Sequence, residues 1–179
     1  MQKLSKKNYT KIGILGGTFD PPHRGHLHIS RIALKKLKLN KIVWVVSKKN
    51  PLKHKPHLPI KKRIELSKKI TKRDKKIFVN FLDNKIKSSN TFDLLNYIKS
   101  IKKKTKVFFL IGADNLVNFH KWNKWDKITI FAKIVVFNRP GFFKKAKNSV
   151  AAKKLSKNDW IYVNVKGINI SSTLIRKFW

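Results

Sequence analysis

Three observations predict a Rossmann-like, doubly wound α/β fold, with helices on both faces of a mostly parallel sheet of five to six strands. Short apolar runs recur along the chain, segments of helical spacing lie between them, and the joints are marked by Gly, Pro, Ser and Asn. Strands that alternate with helices imply right-handed crossovers and hence parallel pairing. A switch point is expected beside the first strand, where ligands of open α/β sheets collect.

Residues 1–10 are polar and lysine-rich, and are expected to fray. The first strand spans 11–15, and a helix spans 27–38 with Leu27, Ile32, Ala33 and Leu37 on one face, ending near Asn40. KIVWVV at 41–46 is a second buried strand. Residues 47–59 hold three prolines and no periodic apolar face, so they form a loop beside that strand's end. A helix is predicted at 60–70 through Ile60, Ile64, Leu66 and Ile70, a third strand at 77–81, and a helix at 91–101 through Phe92, Leu95 and Ile98. VFFLI at 107–111 is a fourth strand that runs directly into Gly112-Ala113-Asp114. A helical, tryptophan-bearing region follows at 115–130, then a fifth strand at 132–137 closed by Asn138-Arg139-Pro140-Gly141. One short helix between loops is expected in 142–159, a sixth strand at 160–165, and a terminal helix opening at 170–176. No linker or repeat interrupts the series, so one domain is expected across 1–179.

The composition fits a folded chain, since 41% of residues are hydrophobic and 11% aromatic, far from a disordered composition. The formal charge of +36 would ordinarily suggest nucleic acid or an anionic membrane. Nearly all of it is lysine spread along the whole chain, however, and arginine occurs only at 24, 31, 63, 73, 139 and 176. That distribution describes a general bias, together with an unexplained scarcity of Glu, of which Glu65 is the sole example. A basic surface of this kind gathers polyphosphate substrates, or RNA without sequence preference; no specific nucleic-acid motif is present. Cysteine is absent, which excludes disulfides and thiolate metal sites and fits a cytoplasmic setting. No run approaches the roughly 18 apolar residues of a membrane span.

Chemistry concentrates in Gly16-Gly17-Thr18-Phe19-Asp20-Pro21-Pro22-His23-Arg24-Gly25-His26, between the first strand and the first helix. Two glycines let a phosphate approach backbone N–H groups, and a helix N-terminus favours anions. His23 and His26 flank that helix start and are placed to hold phosphate oxygens. The spacing of Gly13, Gly16 and Gly17 does not match the dinucleotide-binding glycine pattern, which disfavours hydride transfer. A second constellation is Ile170-Ser171-Ser172-Thr173-Leu174-Ile175-Arg176. Ser171 or Ser172 can cap the helix, leaving Thr173 and N–H groups for an anion, and Arg176 lies one turn on with a fork that lysine lacks.

GGTFDPPHRGH resembles the signature of the nucleotidyltransferases with an HxGH motif, and its GGTFDPPH form resembles the nicotinate-nucleotide adenylyltransferase branch. ISSTLIR is similar to the second phosphate motif of that superfamily. The middle of the chain carries the same resemblance, through Gly112-Ala113-Asp114 with Trp122 downstream. Ser89-Asn90-Thr91-Phe92-Asp93 also fits, although Asn90 stands where the family has tyrosine. The resemblance implies transfer of AMP from ATP to nicotinate mononucleotide, with Mg²⁺ brought by ATP and no dedicated protein ligands. It implies catalytic roles for His23, His26 and Arg176. ATP and phosphate would meet Gly16, Gly17, Thr18, Phe19, Ser171, Ser172 and Thr173, with Asp114 on a ribose hydroxyl. Nicotinate mononucleotide would meet Lys53, Thr91, Trp122 and Asn123, with Trp122 stacked on the pyridine ring. On spacing alone Trp125 is an equal candidate for that stacking role, and His54, His57 and His120 lack metal-ligand spacing. The rival readings are another HxGH enzyme, such as pantetheine-phosphate adenylyltransferase, and a basic RNA-binding protein.

Overall fold

A computed structural model describes residues 9–165 and 170–178. Its sheet has six strands in the order β3-β2-β1-β4-β5-β6, and every pair is parallel. The strands are β1 (Thr10–Gly17), β2 (Lys41–Val46), β3 (Ile77–Asn80), β4 (Thr105–Gly112), β5 (Lys133–Phe137) and β6 (Trp160–Val163). The helices are α1 (Arg24–Lys36), α2 (Ile60–Thr71), α3 (Asp83–Ile86), α4 (Thr91–Ile101), α5 (Ala113–Val117), α6 (Phe143–Lys147), α7 (Val150–Lys154) and α8 (Ser172–Arg176).

Alternation along each strand divides the core in two. Ile12 and Ile14 of β1, Phe109 and Ile111 of β4, and Ile134 and Val136 of β5 face α4, α5 and α7. Leu15, Trp44, Leu110 and Phe137 face the opposite side with Leu27 and Ala33 of α1. Both faces are therefore apolar, as a parallel sheet covered on both sides requires. Burial of each such large side chain contributes roughly 1.5–3 kcal/mol.

Several expectations are refined by packing. β1 begins at Thr10, inside the segment expected to fray, while the rest of that segment up to residue 8 lies outside the described residues. It also runs on to Gly17, so both glycines end a strand instead of opening a turn. α1 starts at Arg24, earlier than apolar periodicity indicates, because His23 rather than a small polar residue caps it. The tryptophan-bearing region holds a single α-turn, α5, and two 3-10 segments at Phe119–Lys121 and Trp125–Ile130. Lysine-rich 142–159 makes two short helices, not one. On α2 the most buried line is polar, Arg63, Ser67 and Thr71 at four-residue spacing. Ser67 Oγ and Thr71 Oγ1 donate to the carbonyls of Arg63 and Ser67 on their own helix at 2.7 and 2.9 Å, so neither hydroxyl is buried unpaired.

The topology itself opens the cleft. β1 pairs with β4 only up to Leu15↔Leu110. Beyond that, Gly16 and Gly17 pair with β2 alone, and Ile111 and Gly112 with β5 alone. The two central strands thus part at their C-terminal ends, where the strand order reverses, and a crevice forms between them.

Candidate active site

Two adjoining lobes occupy this crevice. The larger, of about 840 Å³, is lined by residues 16–20, His23, Gly25 and His26 of the motif, Lys53, His54 and His57 of the loop after β2, Asp114, Arg139, and residues 170–173 with Arg176. The smaller, of about 350 Å³, is lined by Ser47, Lys49, Asp83, Thr91, Trp122 and Asn123, among others. Gly16, Gly17, Asn50, Leu52 and Trp122 line both, so the lobes share a wall. A Cβ added at Gly16 or Gly17 would meet its nearest protein atom at 3.6 Å, an ordinary contact, and neither has a positive φ. Nothing in the surrounding protein demands glycine there, and the space those hydrogens leave open belongs to the cleft.

His23 and His26 are fixed as a pair. His23 Nδ1 accepts the Gly25 N–H at 3.1 Å, and His26 Nδ1 accepts the His23 N–H at 3.2 Å, which together form a capping box for α1. The rings lie tilted against each other, with centroids 3.8 Å apart. A Cβ on Gly25 would come within 2.9 Å of the His23 ring, so glycine is required for this closeness. Since each Nδ1 accepts, each neutral ring carries its proton on Nε2, and neither Nε2 has a partner among the described residues. Burial, helped by the Arg139 charge, lowers the His23 pKa to about 4. Burial first, then His23 and Arg139, holds His26 well below its ordinary value. Both imidazoles are neutral Nε2–H donors at neutral pH.

The support beneath them is aromatic. Phe19 stacks on Trp44 at 5.0 Å and meets the His26 ring at 4.8 Å. Trp44 Nε1 donates to Ser30 Oγ at 2.9 Å, and that hydroxyl donates to the His26 carbonyl at 2.8 Å. Phe19 itself is only 2% exposed. It lines the larger lobe, and its ring packs against that of His26.

The terminal motif closes on the first one. Ser171, not Ser172, caps α8, accepting the Leu174 N–H at 3.0 Å. Ser172 Oγ donates to the Pro21 carbonyl at 2.8 Å, so its proton binds the two motifs together and is not free for a phosphate. Arg176 Nη1 donates to the Asp20 carbonyl and lies 3.7 Å from its carboxylate, while Nη2 reaches Thr173 Oγ1 at 3.4 Å. Asp20 is buried, and its carboxylate accepts the N–H groups of His57 and Leu58 at 2.8 and 2.9 Å. The loop after β2 is thereby pulled over the larger lobe. Lys53 consequently lines the larger lobe with the histidines, and its charge faces His26.

Trp122 and Trp125 are separated by the fold. Trp122 is extended, lines both lobes and packs on Phe119 and Phe109 at 5.0 and 6.1 Å. Trp125 lines neither lobe and abuts Phe119 edge-on at 6.3 Å. Thr91 is the first residue of α4 and Asn90 its N-cap, both facing the smaller lobe. Asp114 pairs with Arg139, so the arginine assigned to a strand-end loop also holds this carboxylate.

Two buried residues escaped the sequence reading. Arg63 donates to four backbone carbonyls: Leu58, Thr18, Ser47 and Lys48. It ties the motif, the end of β2 and the far end of the loop to one guanidinium. Asp83, in the short α3 that no periodicity announces, accepts the Lys48 N–H at 2.7 Å and the Ser89 hydroxyl at 2.5 Å. The one available signal was arginine itself, persisting in a chain that otherwise uses lysine.

Comparison with known proteins agrees with this geometry. The cytidylyltransferase-like family model matches residues 14–178. A Pelagibacter ubique protein named nicotinate-nucleotide adenylyltransferase is 46% identical over 168 residues, covering 94% of this chain and 93% of its own length. A protein of the same name from Cereibacter sphaeroides is 34% identical over 181 residues, covering 92% and 95%. The Plasmodium falciparum nicotinic acid mononucleotide adenylyltransferase, solved in complex with NaAD, superposes with a TM-score of 0.75 at 20% identity, over 95% of this chain and 84% of its own. That last likeness is one of fold.

Proposed function

We infer the reaction from a chain that belongs to the cytidylyltransferase-like family and, within it, to the nicotinate-nucleotide adenylyltransferases: it transfers AMP from ATP to nicotinate mononucleotide, giving nicotinate adenine dinucleotide and pyrophosphate. The observation that carries this for the site is the shared wall of the two lobes. A triphosphate lobe with two neutral imidazole donors adjoins a tryptophan-lined lobe across Gly16 and Gly17.

The acceptor's phosphate oxygen attacks the α-phosphorus of ATP. A new O–P bond forms, the bond to the β-phosphate oxygen breaks, and pyrophosphate leaves with its electron pair. That nucleophile is already ionised at neutral pH, so no general base is required. Catalysis rests on holding the reacting groups in line and on donors aimed at developing charge. His23 and His26 donate through Nε2–H to the α- and β-phosphate oxygens. Arg176, Thr173 and Ser171 take the outer phosphates. Ser172 is a tie between the motifs, and Lys53 is assigned to phosphate. Asp114 takes a ribose hydroxyl, oriented by Arg139. Trp122 stacks on the pyridine ring, while Thr91 and the Asn123 backbone meet its substituent. Mg²⁺ brought by ATP would supply charge neutralisation at the phosphates, with no dedicated protein ligands. Among the described residues no helix is long and apolar enough to cross a membrane, and a cytoplasmic reaction is consistent with that.

The test is pyrophosphate release from ATP with nicotinate mononucleotide, with the dinucleotide product identified by mass. Turnover with that acceptor is expected. Release only with a pantetheine phosphate would overturn the assignment.

A further inference from the structure

The acceptor lobe carries a charge asymmetry that the reaction itself does not require. Among the described residues, three charged side chains line it: Lys49, Asp83 and Lys121. Asp83 is buried, takes hydrogen bonds from the Lys48 N–H and Ser89 Oγ, and lies within the electrostatic reach of the Arg63 guanidinium. Its charge is accounted for inside the protein. Lys49 and Lys121 are both exposed, and neither makes an ion pair among the described residues. They reach the lobe from separate segments, Lys49 from the loop after β2 and Lys121 from the 3-10 turn directly preceding Trp122. A ring stacked on Trp122 therefore sits in a pocket with an uncompensated positive potential.

Resting on the acceptor assignment above, we propose that Lys49 and Lys121 are specificity residues that favour a pyridine carboxylate over the isosteric carboxamide. The two acceptors have the same ring, ribose and phosphate, and differ by one negative charge at the ring substituent. Thr91 and backbone N–H groups can hydrogen-bond either substituent, so hydrogen bonding alone separates them weakly. Two unpaired cations separate them by charge. An exposed ion pair of this kind changes affinity by up to about fivefold, and the effect shrinks as added salt shortens the Debye length.

The experiment measures kcat/KM for nicotinate mononucleotide and for nicotinamide mononucleotide in wild type, Lys49→Gln, Lys121→Gln and the double variant. Equilibrium binding of both mononucleotides by calorimetry is measured alongside. Each single variant is expected to lower the acid-to-amide ratio about two- to fivefold, and the double variant further. The wild-type ratio should also narrow at high salt. If both acceptors weaken equally, the lysines meet the shared phosphate and the proposal is overturned; a ratio that does not move overturns it as well. Absence of turnover with either acceptor would count against the adenylyl-transfer reading, whereas the binding ratio still decides the role of the lysines.

Discussion

Replacing Arg63 with alanine probes how the cleft is assembled. The side chain is 2% exposed and donates to four carbonyls, on Thr18 in the motif, Ser47 and Lys48 at the end of β2, and Leu58. Its charge also faces the buried carboxylates of Asp20 and Asp83. Removing one partner of a buried charge group costs about 3–5 kcal/mol, because what remains is left uncompensated. At this chain length each kcal/mol moves Tm by roughly 2–4 °C, so a fall of about 6–20 °C is expected. Below that Tm the variant should still turn over slowly. The motif and the loop bearing Lys53 would have lost their common anchor, and a misplacement of about 1 Å costs up to a hundredfold in rate. Arg63→Lys restores one charge but cannot span four carbonyls, so it should fall between the two. The assays are urea unfolding and kcat at a temperature where all three proteins are folded. An Arg63→Ala protein as stable and as fast as wild type would refute this account of how the loops are held.

Three further outcomes follow from the same geometry. His26→Ala should lower kcat by about 10²–10³ with smaller changes in KM, and His26→Asn should retain more activity because its amide still donates; a folded alanine variant with normal kcat would remove His26 from the chemistry. Trp122→Ala should raise KM for the acceptor, stacking being worth on the order of 1–3 kcal/mol and a single pyridine falling near the low end. Trp125→Ala should leave KM alone and cost roughly 3 kcal/mol of stability, as its ring is only partly buried; measuring both KM values and Tm distinguishes the two, and the reverse pattern would exchange their roles. The depressed histidines set a pH dependence. His23 and His26 have lower pKa values folded than unfolded, so below pH 6.5 the unfolded chain binds more protons. Their contribution is complete above that value and lost as pH falls toward about 4. Urea midpoints compared between pH 7.5 and 5 should therefore drop more in wild type than in a His23→Gln, His26→Gln variant. Equal drops would contradict it.

Much of the fold was written in the sequence because burial on both faces of a parallel sheet leaves uninterrupted apolar runs. KIVWVV became β2 without change at either end, and the helix at 91–101 kept its bounds. The misreadings have a common cause. Periodicity registers apolar surface, and α1 begins three residues before its first apolar position because two histidine side chains satisfy its first N–H groups. α3 is a single turn whose key residue, Asp83, is buried for its hydrogen bonds and not for its hydrophobicity. The line Arg63, Ser67, Thr71 has the spacing of a buried helix face but the wrong residue types for a hydrophobic pattern.

The site divides along the same boundary. Motif residues were legible because a short segment holds them together, but their division of labour was not, since it depends on contacts across more than a hundred residues. Ser172 lines the larger lobe, but that its hydroxyl also donates to the carbonyl of Pro21, 151 positions earlier, is invisible in its own segment. Where Lys53 sits depends on Asp20, which draws the loop after β2 toward the histidines. In a chain with 38 lysines, the arginine signal read at Arg176 extends to other positions. Arg31 grips Asp74 with two nitrogens, Arg63 spans four carbonyls, Arg139 holds Asp114, and Arg176 joins the terminal helix to the motif. Each task needs several directed donors on one planar group, which an ammonium cannot supply. Where composition presses cations toward lysine, these four arginines stand where geometry, not charge, is required; Arg139 and Arg176 line one cleft, and Arg63 anchors the loops around it.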